Sequence, residues 1–171
     1  MESATSLGVD NPEEESKDLV IYEMTDGMRT STKLSAADAY IDGGLFALRL
    51  IHLLKIFGSK SCYVNVIEER HKLRDNYSSI FSGLKSLFPI YQKYSKNNHV
   101  RLKFLGDLDQ RLEPHKHEGD FASDLNILEK ETENNDEFTA YFLINYSLDW
   151  AIKNQEKFKD LPAINQIVRH T

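Results

Sequence analysis

Residues 40–67, YIDGGLFALRLIHLLKIFGSKSCYVNVI, combine a helix pattern with a strand pattern in one apolar stretch. The helical part, 45–57, is apolar except for one narrow polar stripe, formed by Arg49, His52 and Lys55. Gly58 follows it, where a helix commonly ends in a left-handed C-cap. The next run, 62–67, is apolar almost throughout, which is typical of a strand covered on both faces. The stretch predicts a helix buried on most sides, either by core packing or because it lines an apolar cavity or a dimer contact.

The rest of the chain repeats this alternation of short apolar runs and segments of helical length. The predicted strands are 18–24, 62–67, 100–106, 138–145 and 164–170, and the predicted helices are 36–57, 76–96, 119–133 and 147–160. Since strands and helices alternate, the sequence predicts an α/β fold with a mainly parallel central sheet and helices on both faces. Residues 1–16 are predicted to form a flexible tail, and 17–171 a single domain.

Composition narrows the class of protein. The chain has 171 residues, of which 40% are hydrophobic and 28% charged, and its net charge of −6 argues against nonspecific nucleic-acid binding. The N-terminus lacks the pattern of a secretory signal, and the longest apolar stretch is too short and too often interrupted to cross a bilayer. The single cysteine, Cys62, is predicted to be a buried and inert thiol. A cytoplasmic protein is expected.

Charged residues follow several predicted strands, at the edge where ligands collect in parallel sheets. Asp26 could hold a divalent cation, which prefers oxygen ligands, and Arg29, Arg74 or Arg169 could hold phosphate oxygens. The alternative is that these residues belong to ordinary solvated loops.

Five motifs, in the same order, resemble those of the cis-prenyltransferases, the undecaprenyl and dehydrodolichyl diphosphate synthases. In that family the first strand runs into Asp-Gly-Asn-x-Arg, where this chain has MTDGMRT at 24–30. Residues 40–67 are similar to the family's His-x-x-Gly helix and second strand. NNHVRLKFLGDLDQR, at 97–111, resembles its Asn-x-Val-Arg-Leu-x-x-x-Gly-Asp strand. The remaining two matches are LEKETENNDEFTAYFLINYSLDWAI at 128–152 and PAINQIVRHT at 162–171.

The resemblance implies an activity and a set of site residues. Asp26 matches the catalytic aspartate, which assists departure of an allylic diphosphate together with Mg²⁺, and the co-substrate is isopentenyl diphosphate. The positions implied to bind substrate are Gly27, Met28, Arg29, His71, Arg74 and Arg169. The family also implies an apolar tunnel for the growing chain, a homodimer or a heterodimer with a related subunit, and possible peripheral contact with a membrane.

Several positions depart from the family pattern. Met28 replaces an asparagine, Tyr40 replaces a histidine, and Ser147, Leu148 and Asp149 stand where the family has Gly-Gly-Arg. The motifs also imply that the domain lacks the family's C-terminal end. Three hypotheses follow: a divergent prenyltransferase, a non-catalytic accessory subunit of a heteromeric enzyme, or an unrelated doubly wound phosphate-binding protein. The sequence has no Gly-rich phosphate loop of the usual types to support the third.

Overall fold

The computed structural model describes residues 21–23, 34–68, 77–108, 121–154 and 156. Its elements, in chain order, are β1 (Ile21–Glu23), α1 (Ala36–Ile56), β2 (Ser61–Glu68), α2 (Tyr77–Asn98), β3 (Val100–Gly106), α3 (Phe121–Glu131), β4 (Phe138–Tyr146) and α4 (Leu148–Lys153). The predicted elements up to β4 are confirmed wherever the structure describes them, and α4 is confirmed at its start. The predicted fifth strand, 164–170, and the predicted tail, 1–16, lie outside the described residues and stay predictions.

The described strands form one parallel sheet in the order β1-β2-β4-β3. Alternate residues along each strand point to opposite faces. On one face α1, α2 and α3 cover a large core that includes Val64 and Phe142. On the other face Tyr63 of β2 packs with Ala151 of α4. The predicted α/β class, with a parallel sheet and helices on both faces, is confirmed.

The outer edge of β3 is closed by side chains from α3 and from the turn that follows it. The bonds run from Leu102 N–H to Thr132 Oγ1 (3.0 Å), from Phe104 N–H to Glu129 Oε2 (3.3 Å) and from Asn135 Nδ2 to the Val100 carbonyl (2.8 Å). An edge strand otherwise presents unpaired backbone groups that invite pairing with another chain. These side chains satisfy two N–H groups and one carbonyl of β3, and β4 begins only three residues after Asn135.

Glycines allow α1 and α2 to approach closely. A Cβ atom at Gly44 would overlap the Leu87 side chain, and one at Gly83 would lie 2.6 Å from the Ala37 carbonyl oxygen. The Tyr91 hydroxyl of α2 also donates a hydrogen bond to the Gly44 carbonyl, at 2.7 Å. This close contact fixes the two helices side by side over the sheet.

The end of α1 follows the sequence prediction, but its burial does not. Gly58 has a φ of +86°, and the Ser59 N–H donates to the Leu54 carbonyl at 3.0 Å, as in a Schellman C-cap. Within the chain itself α1 is not buried on most sides, because Leu53, Ile56 and Phe57 are exposed. The alternative that this side forms a dimer contact stays a prediction. The buried residues of α1 face only the sheet and α2, so its outer side meets solvent.

Gly106 ends β3 in a conformation that only glycine adopts readily. Its φ is +140°, and a Cβ atom there would overlap the carbonyl oxygen of Ile144 on the neighbouring strand. Gly58 provides a matched control, because its φ is also positive while a Cβ atom there would have no neighbour within 4 Å.

We expect Gly106→Ala to lower the free energy of unfolding by at least about 3 kcal/mol, since it adds a backbone overlap to a strained φ. Gly58→Ala should cost only about 1–2 kcal/mol, the penalty of the left-handed conformation alone. Urea unfolding of both variants measures the difference. Equal losses would contradict the close approach of β3 and β4.

Candidate functional site

An apolar cavity lies between the sheet and the helices α1, α2 and α3. The centre of a water-sized sphere can reach about 40 Å³ of it, and the space between its wall atoms is about 450 Å³ when the part that opens to solvent is counted. The sheet side is formed by Val66, Phe104, Phe142 and Ile144, and the described residues on the helix side are apolar apart from one hydroxyl. That hydroxyl belongs to Tyr91 and donates to the Gly44 carbonyl, so it is satisfied within the fold. The cavity therefore suits a hydrocarbon ligand.

The cavity lies under the carboxyl half of the sheet. Phe104 is level with Phe142, and Gly106, the last residue of β3, is level with Ile144. In parallel α/β sheets ligands bind at the carboxyl ends of the strands. An apolar chain in this cavity would thus extend toward the edge at which the predicted site residues follow their strands.

Aromatic rings stiffen the cavity wall. The Phe142 ring meets Tyr91 edge to face at 5.4 Å and stacks on Phe104 at 5.5 Å between ring centroids. Glu129 holds the strand that carries Phe104, because its carboxylate accepts from the Phe104 N–H and pairs with Lys103 at 2.5 Å. The edge closure of β3 therefore also sets one wall of the cavity.

Helix α1 contributes little to the cavity, although the sequence left open that residues 45–57 line one. Gly44 is its described lining residue, whereas Leu48 and Leu54 pack into the core elsewhere. Core packing is thus the correct interpretation of the buried part of 45–57. The helix side of the cavity is formed by residues of α2 and α3 such as Leu84 and Leu125, and these residues were not predicted to line it. Their helical spacing marks them as core residues and carries no sign of a cavity.

The predicted site residues all lie outside the described residues: Asp26, Gly27, Met28, Arg29, His71, Arg74 and Arg169. The structure gives the strands that precede two of these groups, since β1 ends at Glu23 and β2 at Glu68. Within the described residues no group of three metal-ligating side chains is found. The predicted Mg²⁺ site at Asp26 stays a prediction.

The carboxyl end of β4 is described, and its sequence departs from the family motif. Asn145 is buried with a φ of +51°, a conformation that asparagine tolerates, and its amide donates to the Asp107 carbonyl at 3.4 Å. Ser147 caps α4 by accepting from the Trp150 N–H at 3.2 Å. Asp149 is exposed in the first turn. The residues that replace Gly-Gly-Arg therefore begin a helix and supply an acidic group instead of a cation.

Cys62 and Tyr63 point to opposite faces of β2 and are both buried, and Tyr141 beside Tyr63 is partly buried. Burial raises the pKa of the Cys62 thiol to about 12. Tyr63 and Tyr141 stack at 4.8 Å between centroids, and burial raises the pKa of both phenols. The prediction that Cys62 is buried is confirmed. The raised pKa favours an inert thiol, since thiolate is the nucleophilic form.

Taken together, these features define a parallel α/β protein with an apolar cavity beneath the carboxyl ends of its strands. No protein-family model matches the sequence, and no match was found among the curated proteins. Solved structures do match. A probable undecaprenyl diphosphate synthase from Campylobacter jejuni is 14% identical, with a TM-score of 0.59, and the match covers 88% of this chain and 62% of that one.

A second similar structure is lavandulyl diphosphate synthase from Lavandula x intermedia, in complex with dimethylallyl diphosphate. It is 10% identical, with a TM-score of 0.67, and the match covers 89% of this chain and 64% of that one. The chain thus spans less than two thirds of the length of either protein. Both are cis-prenyltransferases, and the chain has the cis-prenyltransferase fold that the sequence resemblance predicted. At these identities the similarity shows the fold alone.

None of the described helices is long and apolar enough to cross a membrane.

Because Cys62 is the chain's only cysteine, its reactivity can be measured without interference. We expect an aromatic disulfide reagent at pH 8 to react with the folded protein at least about a hundredfold more slowly than with the protein unfolded in urea. The raised pKa leaves almost no thiolate at that pH, and burial blocks access. Equal rates in the two states would contradict the buried position of Cys62.

Proposed function

We propose that the protein is a divergent cis-prenyltransferase that condenses isopentenyl diphosphate with an allylic diphosphate to make a polyprenyl diphosphate. The observation that carries the proposal is the apolar cavity, which lies beneath the carboxyl ends of the strands in a cis-prenyltransferase fold. The fold supplies the class, and the cavity supplies a place for a hydrocarbon chain.

The cavity favours a prenyl chain on energetic grounds. Transfer of hydrocarbon from water into an apolar site contributes about 0.8 kcal/mol for each CH₂ group. Its described walls present no unsatisfied polar side chain to oppose an apolar ligand. A single isoprene unit would therefore contribute roughly 3–4 kcal/mol of binding free energy.

In this proposal the diphosphate lies at the carboxyl edge of the sheet. Asp26 follows Glu23 by three residues, a span of at most about 11 Å of chain, so it remains near the end of β1. Its carboxylate is a suitable ligand for Mg²⁺, which would stabilise the charge on the departing diphosphate. Arg29, His71, Arg74 and Arg169 are the groups proposed to hold phosphate oxygens, alongside Gly27 and Met28.

The condensation itself needs little from the cavity beyond positioning. The bond between the allylic carbon and the diphosphate oxygen breaks, a new carbon–carbon bond forms to isopentenyl diphosphate, and a proton is lost from the isopentenyl part. The cavity holds the allylic chain so that its reacting end faces the diphosphate groups, which raises the rate through proximity and orientation.

The second candidate is a non-catalytic accessory subunit that binds a related catalytic chain. The observation that favours it is the carboxyl end of β4, where Ser147 caps a helix and Asp149 replaces a phosphate-binding cation. Losing one charge-assisted donor typically costs a few kcal/mol of phosphate binding. A homodimer is the assembly proposed for the first candidate, and a heterodimer for the second.

Asp26→Ala should abolish turnover without unfolding the protein, with a loss of at least about a hundredfold. The assay is Mg²⁺-dependent incorporation of labelled isopentenyl diphosphate onto farnesyl diphosphate. Asp136→Ala is the matched control, because it removes an exposed carboxylate just before β4, at the opposite end of the strands. Unchanged turnover in Asp26→Ala would contradict the catalytic role, and a folded but inactive wild type would favour the accessory subunit.

The cavity wall should set product length. Phe104→Leu removes three carbon atoms from the wall, whereas Leu54→Ala removes three from the core of α1 outside the cavity. We expect Phe104→Leu to lengthen the product, because it widens the cavity. Leu54→Ala should lower the free energy of unfolding by about 1–3 kcal/mol, less than for a fully buried leucine because Leu54 is partly buried, and leave product length unchanged. Reversed-phase chromatography of the products measures their chain length. If only Leu54→Ala changes the product length, the growing prenyl chain does not lie in this cavity.

A further inference from the structure

An exposed apolar patch lies at the C-terminal end of α1, outside the cavity. It consists of Leu53, Ile56 and Phe57, whose exposed fractions are 50%, 65% and 80%. Their spacing of three and four residues places them on one side of the helix. That side is opposite to Gly44, where α1 packs on α2, so neither α2 nor the described sheet covers it. Clustered apolar side chains on a surface, with polar residues around them, mark a site of interaction.

The patch is bordered by cations. Arg49 and Lys60 are exposed before and after it along the chain, and no acidic residue occurs between 45 and 67. Glu137 approaches this end of α1 from another element, but it pairs with Lys55 at 2.6 Å. Among the described residues neither Arg49 nor Lys60 has a salt-bridge partner. The end of α1 therefore offers an apolar surface beside two cations that an acidic segment can pair with.

The predicted N-terminal tail, residues 1–16, has the opposite charge. Its acidic residues are Glu2, Asp10, Glu13, Glu14 and Glu15. It contains no lysine or arginine. Leu7 and Val9 precede the acidic run and are two residues apart, so in an extended chain their side chains lie on one side. Apolar residues followed by carboxylates complement an apolar patch that is bordered by cations.

The topology brings the tail to the edge of the sheet at which α1 ends. β1 and β2 are parallel, and Ile21, at the start of β1, is level with Tyr63 near the start of β2. Phe57 precedes Tyr63 by six residues, so it lies at most about 27 Å from Ile21 when the distance between neighbouring strands is added. The 14 residues from Ile21 back to Leu7 span up to about 50 Å. The tail is therefore long enough to reach the patch.

We infer that the acidic tail, residues 1–16, docks on the patch of Leu53, Ile56 and Phe57 of the same chain. The apolar residues of the tail cover the patch, and its carboxylates pair with the cations beside it. Because the tail is tethered, its effective concentration at the patch is on the order of mM, so a weak contact is enough to populate the docked state. The contact requires no substrate and does not depend on the proposed activity.

A second copy of this chain fits the patch less well than the tail does. A two-fold contact through the patch would bring Arg49 of both copies together, and like charges oppose such a contact. The docked tail instead neutralises the cations and shields the apolar side chains, so that other molecules reach the patch only after the tail is released. Since the charges are at the surface, salt should weaken the docking.

The test is paramagnetic relaxation in the full chain. Ser6→Cys allows a nitroxide label to be attached to the tail alone, because the other thiol, that of Cys62, is buried. The label should remove most of the intensity of the Leu53 and Ile56 methyl signals. It should leave the methyl signals of Ile152 unchanged, since Ile152 is exposed on α4, on the other face of the sheet. High salt should reverse the loss of intensity.

Charge variants of the labelled chain test the pairing. Glu13→Lys with Glu15→Lys should abolish the loss of intensity, because the tail then repels the cations beside the patch. Adding Arg49→Glu with Lys60→Glu to that variant should restore the loss, since both sides of the contact have exchanged their charges. Thermal unfolding should show every variant folded.

The matched control is Asp42→Lys with Asp149→Lys, which reverses two exposed carboxylates away from the patch. It should behave as the labelled chain does. A mixture of spin-labelled chain without isotope and isotope-labelled chain without spin label should show no loss of intensity. The inference is overturned if the label affects neither Leu53 nor Ile56, or if the control variant abolishes the effect as the tail variant does. It is also overturned if the mixture shows the full effect, since the tail of a second copy would then occupy the patch.

Discussion

The closure of the β3 edge is the constraint on which the rest of the structure depends. Thr132 and Glu129 accept the outward N–H groups of β3, and Asn135 donates to one of its carbonyls. With that edge satisfied, β4 lies between β2 and β3 and pairs with both of them. Each buried backbone group left without a partner would cost about 1–3 kcal/mol. The Thr132 hydroxyl, the Glu129 carboxylate and the Asn135 amide thus make hydrogen bonds to β3 that a further strand would otherwise make.

The same closure shapes the cavity. Glu129 reaches β3 at Phe104, and Phe104 stacks on Phe142 in the centre of the sheet. Leu128, the neighbour of Glu129, lines the cavity from α3. The motif that resembles the family in this region is therefore structural: Thr132 and Asn135 hold the sheet, and they leave the apolar side chains beside them free to form the cavity wall.

The fold could be predicted from the sequence because it depends on periodicity. The continuous apolar run at 62–67 and the glycine at the end of α1 both predict local structure, and both predictions are confirmed. The exposure of the outer side of α1 could not be predicted. An apolar helix has the same sequence pattern whether a residue such as Ile56 packs in a core or lies in solvent. The family resemblance implied an apolar tunnel, but the residues that line the cavity could not be predicted, because the cavity arises where α2 and α3 leave space over Phe142. The proposed catalytic role of Asp26 and the proposed substrate-binding residues rest on the sequence motifs alone.

The central claim is that the cavity holds a prenyl chain, whether or not the protein turns substrate over. The most direct measurement is methyl NMR of the isotope-labelled chain titrated with farnesyl diphosphate. The account predicts shifts for the methyl groups of Leu84, Leu125 and Ile144, which line the cavity, and none for Leu53 or Ile56 at the surface. Inorganic diphosphate should leave the cavity methyl groups unshifted. The account is contradicted if saturating farnesyl diphosphate shifts none of the methyl groups that line the cavity. It is also contradicted if the ligand shifts only the methyl groups of Leu53 and Ile56.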